Sequence, residues 1–167
     1  MDNDTEFADL LAANREFAGS FDLGGFDGKA HAGIALVTCM DSRIDPLGML
    51  GLRHGDAKIF RNPGGRVTEA AMEAIVLGAH LLNVQRVLVV PHTRCAVASN
   101  SEEEIAARVS ESAGTDASWH RFHVVEDQKR TLEMDVRKVR SHPLIPERVL
   151  VGGFIYDVDS GLLDRVV

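Results

Sequence analysis

Cys39, Asp41 and Arg43 occupy alternate positions directly after an apolar run, Ile34-Ala35-Leu36-Val37-Thr38. The only other cysteine of the chain, Cys95, follows a second apolar run, Val87 to Val90, and stands three residues after His92. Two thiolates and one imidazole are a soft-to-borderline donor set suited to tetrahedral zinc, and three protein ligands leave a fourth position for water or substrate. A His-x-x-Cys spacing lets one loop supply two donors. Alone that spacing is common by chance; paired with Cys-x-Asp-x-Arg after an earlier strand it carries weight. Asp41, two residues from a candidate ligand, has two options. It takes the fourth metal position and closes the site, or it pairs with Arg43, whose fork holds a carboxylate bidentately, oriented and ionised. The bland alternatives are two unrelated core cysteines and a surface ion pair of little energetic weight.

For these groups to meet, the two runs must be strands whose carboxyl ends lie together, at a point where the strand order of an α/β sheet reverses. The rest of the pattern supplies such a sheet. Thr5 caps a first predicted helix over 6–18, with Phe7, Leu10, Leu11, Asn14 and Phe17 on one face, apolar except for Asn14. Gly19, Gly24, Gly25 and Gly28 form a loop that isolates this helix, so residues 1–30 are expected to pack on a partner subunit. Asp45-Pro46 starts a short helix through Leu50. Ala57 to Arg61 reads as a strand and Asn62-Pro63-Gly64-Gly65 as a turn. Thr68 caps a helix to about Leu82, with Ala71, Ile75, Gly78, Ala79 and Leu82 on one side. Arg86 to Val90 is nearly all β-branched or Leu, the mark of a strand buried on both faces. Residues 92–100 read as a loop, followed by a helix to about 112 that starts on Ser101-Glu102-Glu103-Glu104. Irregular chain over 114–121 precedes a helix over about 126–140, with Leu132, Val136 and Val139 on one face. A strand over 149–156, a turn at 157–161 and a last strand over 162–167 close the chain. The fold class is therefore α/β: a single domain over 1–167, with a central mostly parallel sheet flanked by helices and an antiparallel C-terminal edge hairpin.

The bulk numbers agree. A chain of 167 residues with 45% hydrophobic and 26% charged content is one ordinary domain with a proper core. The net charge of −7 and pI near 5.4 exclude nucleic acid and anionic membranes as expected partners. No apolar run approaches the roughly 20 residues of a membrane helix, and the acidic start Met1-Asp2-Asn3-Asp4 has no signal-peptide pattern. Two cysteines in such a chain point to a reducing cytoplasm, where metal or catalytic roles outweigh disulfides. No Cys-x-x-Cys supports a redox dithiol, and Gly64-Gly65 lacks the Lys-Ser/Thr of a phosphate loop. His80 falls in a helix and reads as packing or surface. His120 and His123, in irregular chain, are candidate proton shuttles.

Cys39-Met40-Asp41-Ser42-Arg43 together with His92-Thr93-Arg94-Cys95 resembles the β-class carbonic anhydrases, whose signature is Cys-x-Asp-x-Arg followed later by His-x-x-Cys. Arg61-Asn62-Pro63-Gly64-Gly65 is similar to the Arg-Asn-Ala-Gly turn of that family, the likeness runs on to the final hairpin, and the length is that of its compact prokaryotic branch. The resemblance implies Cys39, His92 and Cys95 as ligands of one Zn2+ per subunit and Asp41 with Arg43 as catalytic dyad. Asp41 would be a metal ligand only in a closed resting state, which makes a switch that is active at higher pH. A homodimer or higher homo-oligomer is implied, with the N-terminal helix across the neighbouring subunit. The implied reaction is reversible hydration of carbon dioxide to bicarbonate and a proton. Hydrolysis of carbonyl sulfide or carbon disulfide is the close variant within the family, and a closed, non-catalytic zinc-binding protein is the alternative from another class. Arg94 stands where many relatives have Asp or a small polar residue, and Ala96 where the family usually has Gly. Arg94 beside a metal would favour anions, and Ala96 demands ordinary backbone angles.

Overall fold

Strand β1, Ile34–Cys39, is buried along its whole length. An uninterrupted apolar strand needs cover on both faces and neighbours on both edges, and that is its place in the computed structural model, which describes residues 6–167. The remaining strands are β2 (Ala57–Asn62), β3 (Arg86–Val90), β4 (Leu150–Tyr156) and β5 (Leu163–Arg165). They form one five-stranded sheet in the order β2-β1-β3-β4-β5. β1 is parallel to β2 and β3, and β3 is parallel to β4. Only β5 is antiparallel, hairpinned onto β4 at one edge. The α/β class and edge hairpin expected from the sequence are the observed architecture.

The chain leaves β1 toward β2 on one side, then returns past it to lay β3 on the other. The carboxyl ends of β1 and β3 thus flank the reversal of strand order, where open α/β sheets assemble their sites. Register pairs Thr38 with Val90, and the Thr38 hydroxyl donates to the Val90 carbonyl at 2.7 Å. Cys39 and the chain after Val90 therefore leave the sheet side by side.

The helices are α1 (Ala8–Gly19), α2 (Glu69–Leu81), α3 (Ala96–Ser99), α4 (Glu102–Ala113) and α5 (Gln128–Arg140). Thr68 caps α2, accepting from the Ala71 N–H at 3.3 Å. α2 buries Ala71, Ile75, Gly78 and Ala79, and α5 buries Leu132, Val136 and Val139, as their spacing predicts. Ala71, Ile75 and Ala79 of α2 and the three α5 side chains pack with Val37, Val87 and Val89 of the sheet into one core. Ser101 and Glu104 form a reciprocal capping box at the start of α4.

Three expectations shift. The helix expected after Asp45-Pro46 is a single 3-10 turn, Gly48–Leu50, ended by Gly51, which takes a left-handed φ of 64° and donates its N–H to the Gly48 carbonyl. The loop expected over 92–100 contains α3, a single turn too short to show a period. Thr5, the expected cap of the first helix, lies outside the described residues, and α1 begins at Ala8. Nothing in α1 is buried; Phe7, Leu10, Leu11 and Phe17 are each at least half exposed. Among the described residues no helix is long and apolar enough to cross a membrane.

Candidate metal centre

Cys39 is the last residue of β1, His92 lies just beyond β3, and Cys95 immediately precedes α3. All three are buried, His92 completely. Their donor atoms lie within 4.8 Å of one another, with the two sulfurs 3.9 Å apart and both cysteines free. The His92 Nδ1 sits 2.8 Å from the Thr93 carbonyl. A carbonyl only accepts, so Nδ1 carries the proton and Nε2 keeps its lone pair. Among the described residues that Nε2 is the one buried side-chain nitrogen or oxygen without a hydrogen-bond partner. Leaving such an atom unpaired costs about 1–3 kcal/mol. A lone pair beside two sulfurs fits a cation that accepts it.

The thiols favour the same species. The Cys39 pKa is pushed down, chiefly by the hydrogen bond with Cys95 and further by the backbone N–H groups of Asp41 and Gly64, against the opposing effect of burial. Cys95 is pushed up by that same hydrogen bond, by burial and by the charge on Cys39. A soft divalent cation between the sulfurs would replace their mutual hydrogen bond and hold both as thiolates. Donor types, burial and the orphaned nitrogen all fit zinc.

Arg61, at the end of β2, fixes the backbone that carries Cys39 and Asp41. Its Nε donates to the Cys39 carbonyl at 2.9 Å and its Nη2 to the Asp41 carbonyl at 2.6 Å. The turn after it presses on the end of β1. Gly65 has φ +64°, and a Cβ there would lie 3.0 Å from the Cys39 nitrogen. Asn62 closes the turn through both the N–H and the carbonyl of Arg66, at 2.8 Å each. Buried Asp135 of α5 anchors it from behind, accepting from Arg66 Nε at 2.7 Å and from the Val67 N–H at 3.1 Å.

Asp41 lies in the fork of Arg43. Its Oδ1 accepts from the Arg43 N–H and Nε, each at 2.9 Å, and its Oδ2 accepts from Nη2 at 2.7 Å. The Arg43 side chain first, and its backbone N–H next, hold this carboxyl well below the usual carboxylate range. Oδ2 is 3.7 Å from His92 Nε2, so the carboxylate borders the donor cluster without joining it. Of the two options open to Asp41, this geometry is the Arg43-paired one.

Some supporting residues had no signal in the sequence. Tyr156 of β4 receives the Thr93 N–H at 2.9 Å. Gln128 of α5 donates to the His92 carbonyl at 2.9 Å. Both act from distant parts of the chain, so no local pattern marks them. Arg61 had a signal, a cation at a strand end before Asn-Pro-Gly-Gly. Arg94 has φ 55°, and its guanidinium pairs with Asp159 in the β4–β5 turn. Ala96 opens α3 and takes the ordinary angles it needs. His80 bonds the Leu144 carbonyl at 2.8 Å, a packing role. His120 and His123 line a cavity of about 480 Å³ with Asn62, Pro63 and Val97.

A sequence profile described as carbonic anhydrase matches residues 34–163. Beta-carbonic anhydrase 1 of Mycobacterium tuberculosis is 28% identical over 161 residues, covering 95% of this chain and 96% of that protein. The chain belongs to the β-carbonic anhydrase family. A solved carbonic anhydrase from Streptococcus mutans has a TM-score of 0.84 at 32% identity, covering 96% of this chain and 97% of the other. Carbon disulfide hydrolase from Acidianus sp. is 30% identical, covering 78% of this chain and 75% of that protein.

Proposed function

We propose that this chain catalyses the reversible hydration of carbon dioxide to bicarbonate and a proton, with one zinc ion held by Cys39, His92 and Cys95. The observation that carries this reading is an orphaned, buried His92 Nε2 between two thiols, bordered by a carboxylate that Arg43 keeps outside the donor set. A closed structural site has no use for that restraint, which speaks against a non-catalytic zinc-binding protein.

When bound, zinc supplies the Lewis acidity that makes water a nucleophile near neutral pH. The protein supplies the rest. The N–H groups of Asp41 and Gly64 support the Cys39 thiolate. The Thr93 carbonyl fixes the tautomer of His92, a support that raises ligand basicity. Asp41, ionised and oriented by Arg43, is the acceptor that takes a hydrogen bond from the attacking water and aims its lone pair at the carbon of CO2. The released proton leaves to solvent or buffer. Closure by Asp41 would require it to give up three hydrogen bonds from Arg43.

Carbonyl sulfide or carbon disulfide hydrolysis is the second reading, favoured by the likeness to carbon disulfide hydrolases. The same residues serve it, since a C=S bond is attacked at the same carbon. Buried free thiols suit a reducing cytoplasm as the place of action. The uncovered apolar face of α1 supports a homodimer in which residues 1–30 pack on the neighbouring subunit.

Stopped-flow hydration of CO2, run beside carbonyl sulfide and carbon disulfide turnover on protein of measured zinc content, tests the reading. One zinc per chain and CO2 hydration are expected. Asp41→Asn should keep its zinc and lose about 100-fold or more in kcat/KM, the scale of a positioned proton acceptor. Zinc-loaded protein with none of the three activities would return the centre to a structural role.

A further inference from the structure

The ligand loop carries a second guanidinium. Arg94 lies between His92 and Cys95, and its carbonyl accepts from Arg43 Nη2 at 3.3 Å. Arg43 in turn holds Asp41, whose Oδ2 is 3.7 Å from His92 Nε2. Arg94 therefore stands at the rim of the donor cluster. Its φ of 55° is in the left-handed region, uncommon for a residue other than glycine. From that conformation its guanidinium reaches Asp159 in the turn between β4 and β5.

Both partners are more than half exposed, so the ion pair adds little to stability. The turn does not need the Asp159 carboxylate either. Asp157 Oδ1 accepts from the Asp159 N–H at 2.8 Å, and Thr93 Oγ1 accepts from the Val158 N–H at 3.1 Å. What remains for the carboxylate to do is electrostatic. Charges alternate around the rim as two matched pairs, Asp41 with Arg43 and Arg94 with Asp159. Asp41 is the main influence raising the pKa of Arg43, and the charge of Asp159 adds to it, which places that charge within reach of the dyad.

We infer that Asp159 masks the Arg94 guanidinium, so that the rim of the metal centre offers no free cation to small anions. The masking keeps monovalent anions, the product bicarbonate among them, from lingering beside Asp41 and Arg43. Its benefit for product release rests on the hydratase reading; the masking itself does not. Arg94 and Asp159 are specificity-determining residues in this sense, touching neither substrate nor metal.

Thiocyanate, titrated calorimetrically into the zinc-loaded protein without substrate, is the probe. Asp159→Asn removes the charge while keeping the size of the side chain, and the turn contacts made by Asp157 and Thr93 are untouched. Thiocyanate should bind about fivefold more tightly to Asp159→Asn than to wild type, as a uncompensated surface charge allows. The double variant Asp159→Asn/Arg94→Ala should return to within about twofold of wild type. Circular dichroism and zinc content confirm that each variant is folded and loaded. Unchanged or weaker binding in Asp159→Asn overturns the inference, and so does a double variant that stays tight. Because the titration requires no turnover, a zinc-loaded protein that fails to hydrate CO2 leaves this comparison intact. In a protein that does hydrate CO2, thiocyanate inhibition should rank the three proteins in the same order.

Discussion

Three hydrogen bonds from one residue, Arg43, fix both oxygens of Asp41. At this scale the proposed chemistry depends on a carboxylate that Arg43 keeps ionised near neutral pH and aimed. The folded pKa of Asp41 lies below its ordinary value of 3.8, whereas in the unfolded chain it is near the ordinary one. Its contribution to stability is therefore fully present above about pH 4 and is lost as pH falls through the lower folded value. The stability difference between wild type and Asp41→Asn, measured by urea denaturation, should be flat from about pH 8 to 5 and narrow below about pH 4. Zinc and thiol titrations are common to both proteins and largely cancel in the difference. A gap that already closes between pH 8 and 6 would mean that Asp41 titrates within that range and that the Arg43 fork does not govern it.

At the scale of elements, the centre is made where β1, β2 and β3 end. β1 delivers Cys39, the chain beyond β3 delivers His92 and Cys95, and the turn after β2 braces both. Gly65 is the tightest point of that brace. Its φ of +64° disfavours any side chain, and a Cβ would meet the Cys39 nitrogen at 3.0 Å and the Thr38 carbonyl carbon at 3.1 Å. Both obstacles are backbone, which cannot rotate away. Gly65→Ala should destabilise the protein by about 2 kcal/mol and weaken zinc retention against a chelator, because relief requires β1 to shift at its ligand. A variant with wild-type denaturation midpoint and wild-type zinc off-rate would show that the turn does not brace Cys39. Buried Asp135, paired with the partly exposed Arg66, holds the far side of the same turn, so α5 takes part in the site although it supplies no candidate ligand.

At the scale of the whole molecule, α1 is, among the described residues, the long helix with nothing buried. Phe7 just before it and Leu10, Leu11 and Phe17 on it are 50–63% exposed. Covering the exposed half of each such side chain contributes roughly 1 kcal/mol, enough in sum to favour association. Wild-type protein should sediment as a dimer or larger species, and Leu11→Glu/Phe17→Glu should shift it toward the monomer at micromolar concentration. An unaltered sedimentation coefficient in that variant, or a monomeric wild type, would remove α1 from the interface.

The sequence alone picked out the donor residues and the strands that carry them. Apolar runs ending in Cys39 and in the His92–Cys95 loop are local patterns, and local patterns specify strand ends because burial on both faces requires continuous apolar residues. The helices over Glu69–Leu81 and Gln128–Arg140 were legible for the same reason, each having a cap and a periodic apolar face. Only the tertiary structure decided what those groups do to one another. The lone pair of His92 Nε2 is orphaned because the Thr93 carbonyl takes the other nitrogen. Asp41 is withheld from the donor set because Arg43 holds both its oxygens. Arg94 faces an acidic residue in a hairpin 65 positions away. These are directions and pairings across the fold, set by packing and register rather than by spacing along the chain.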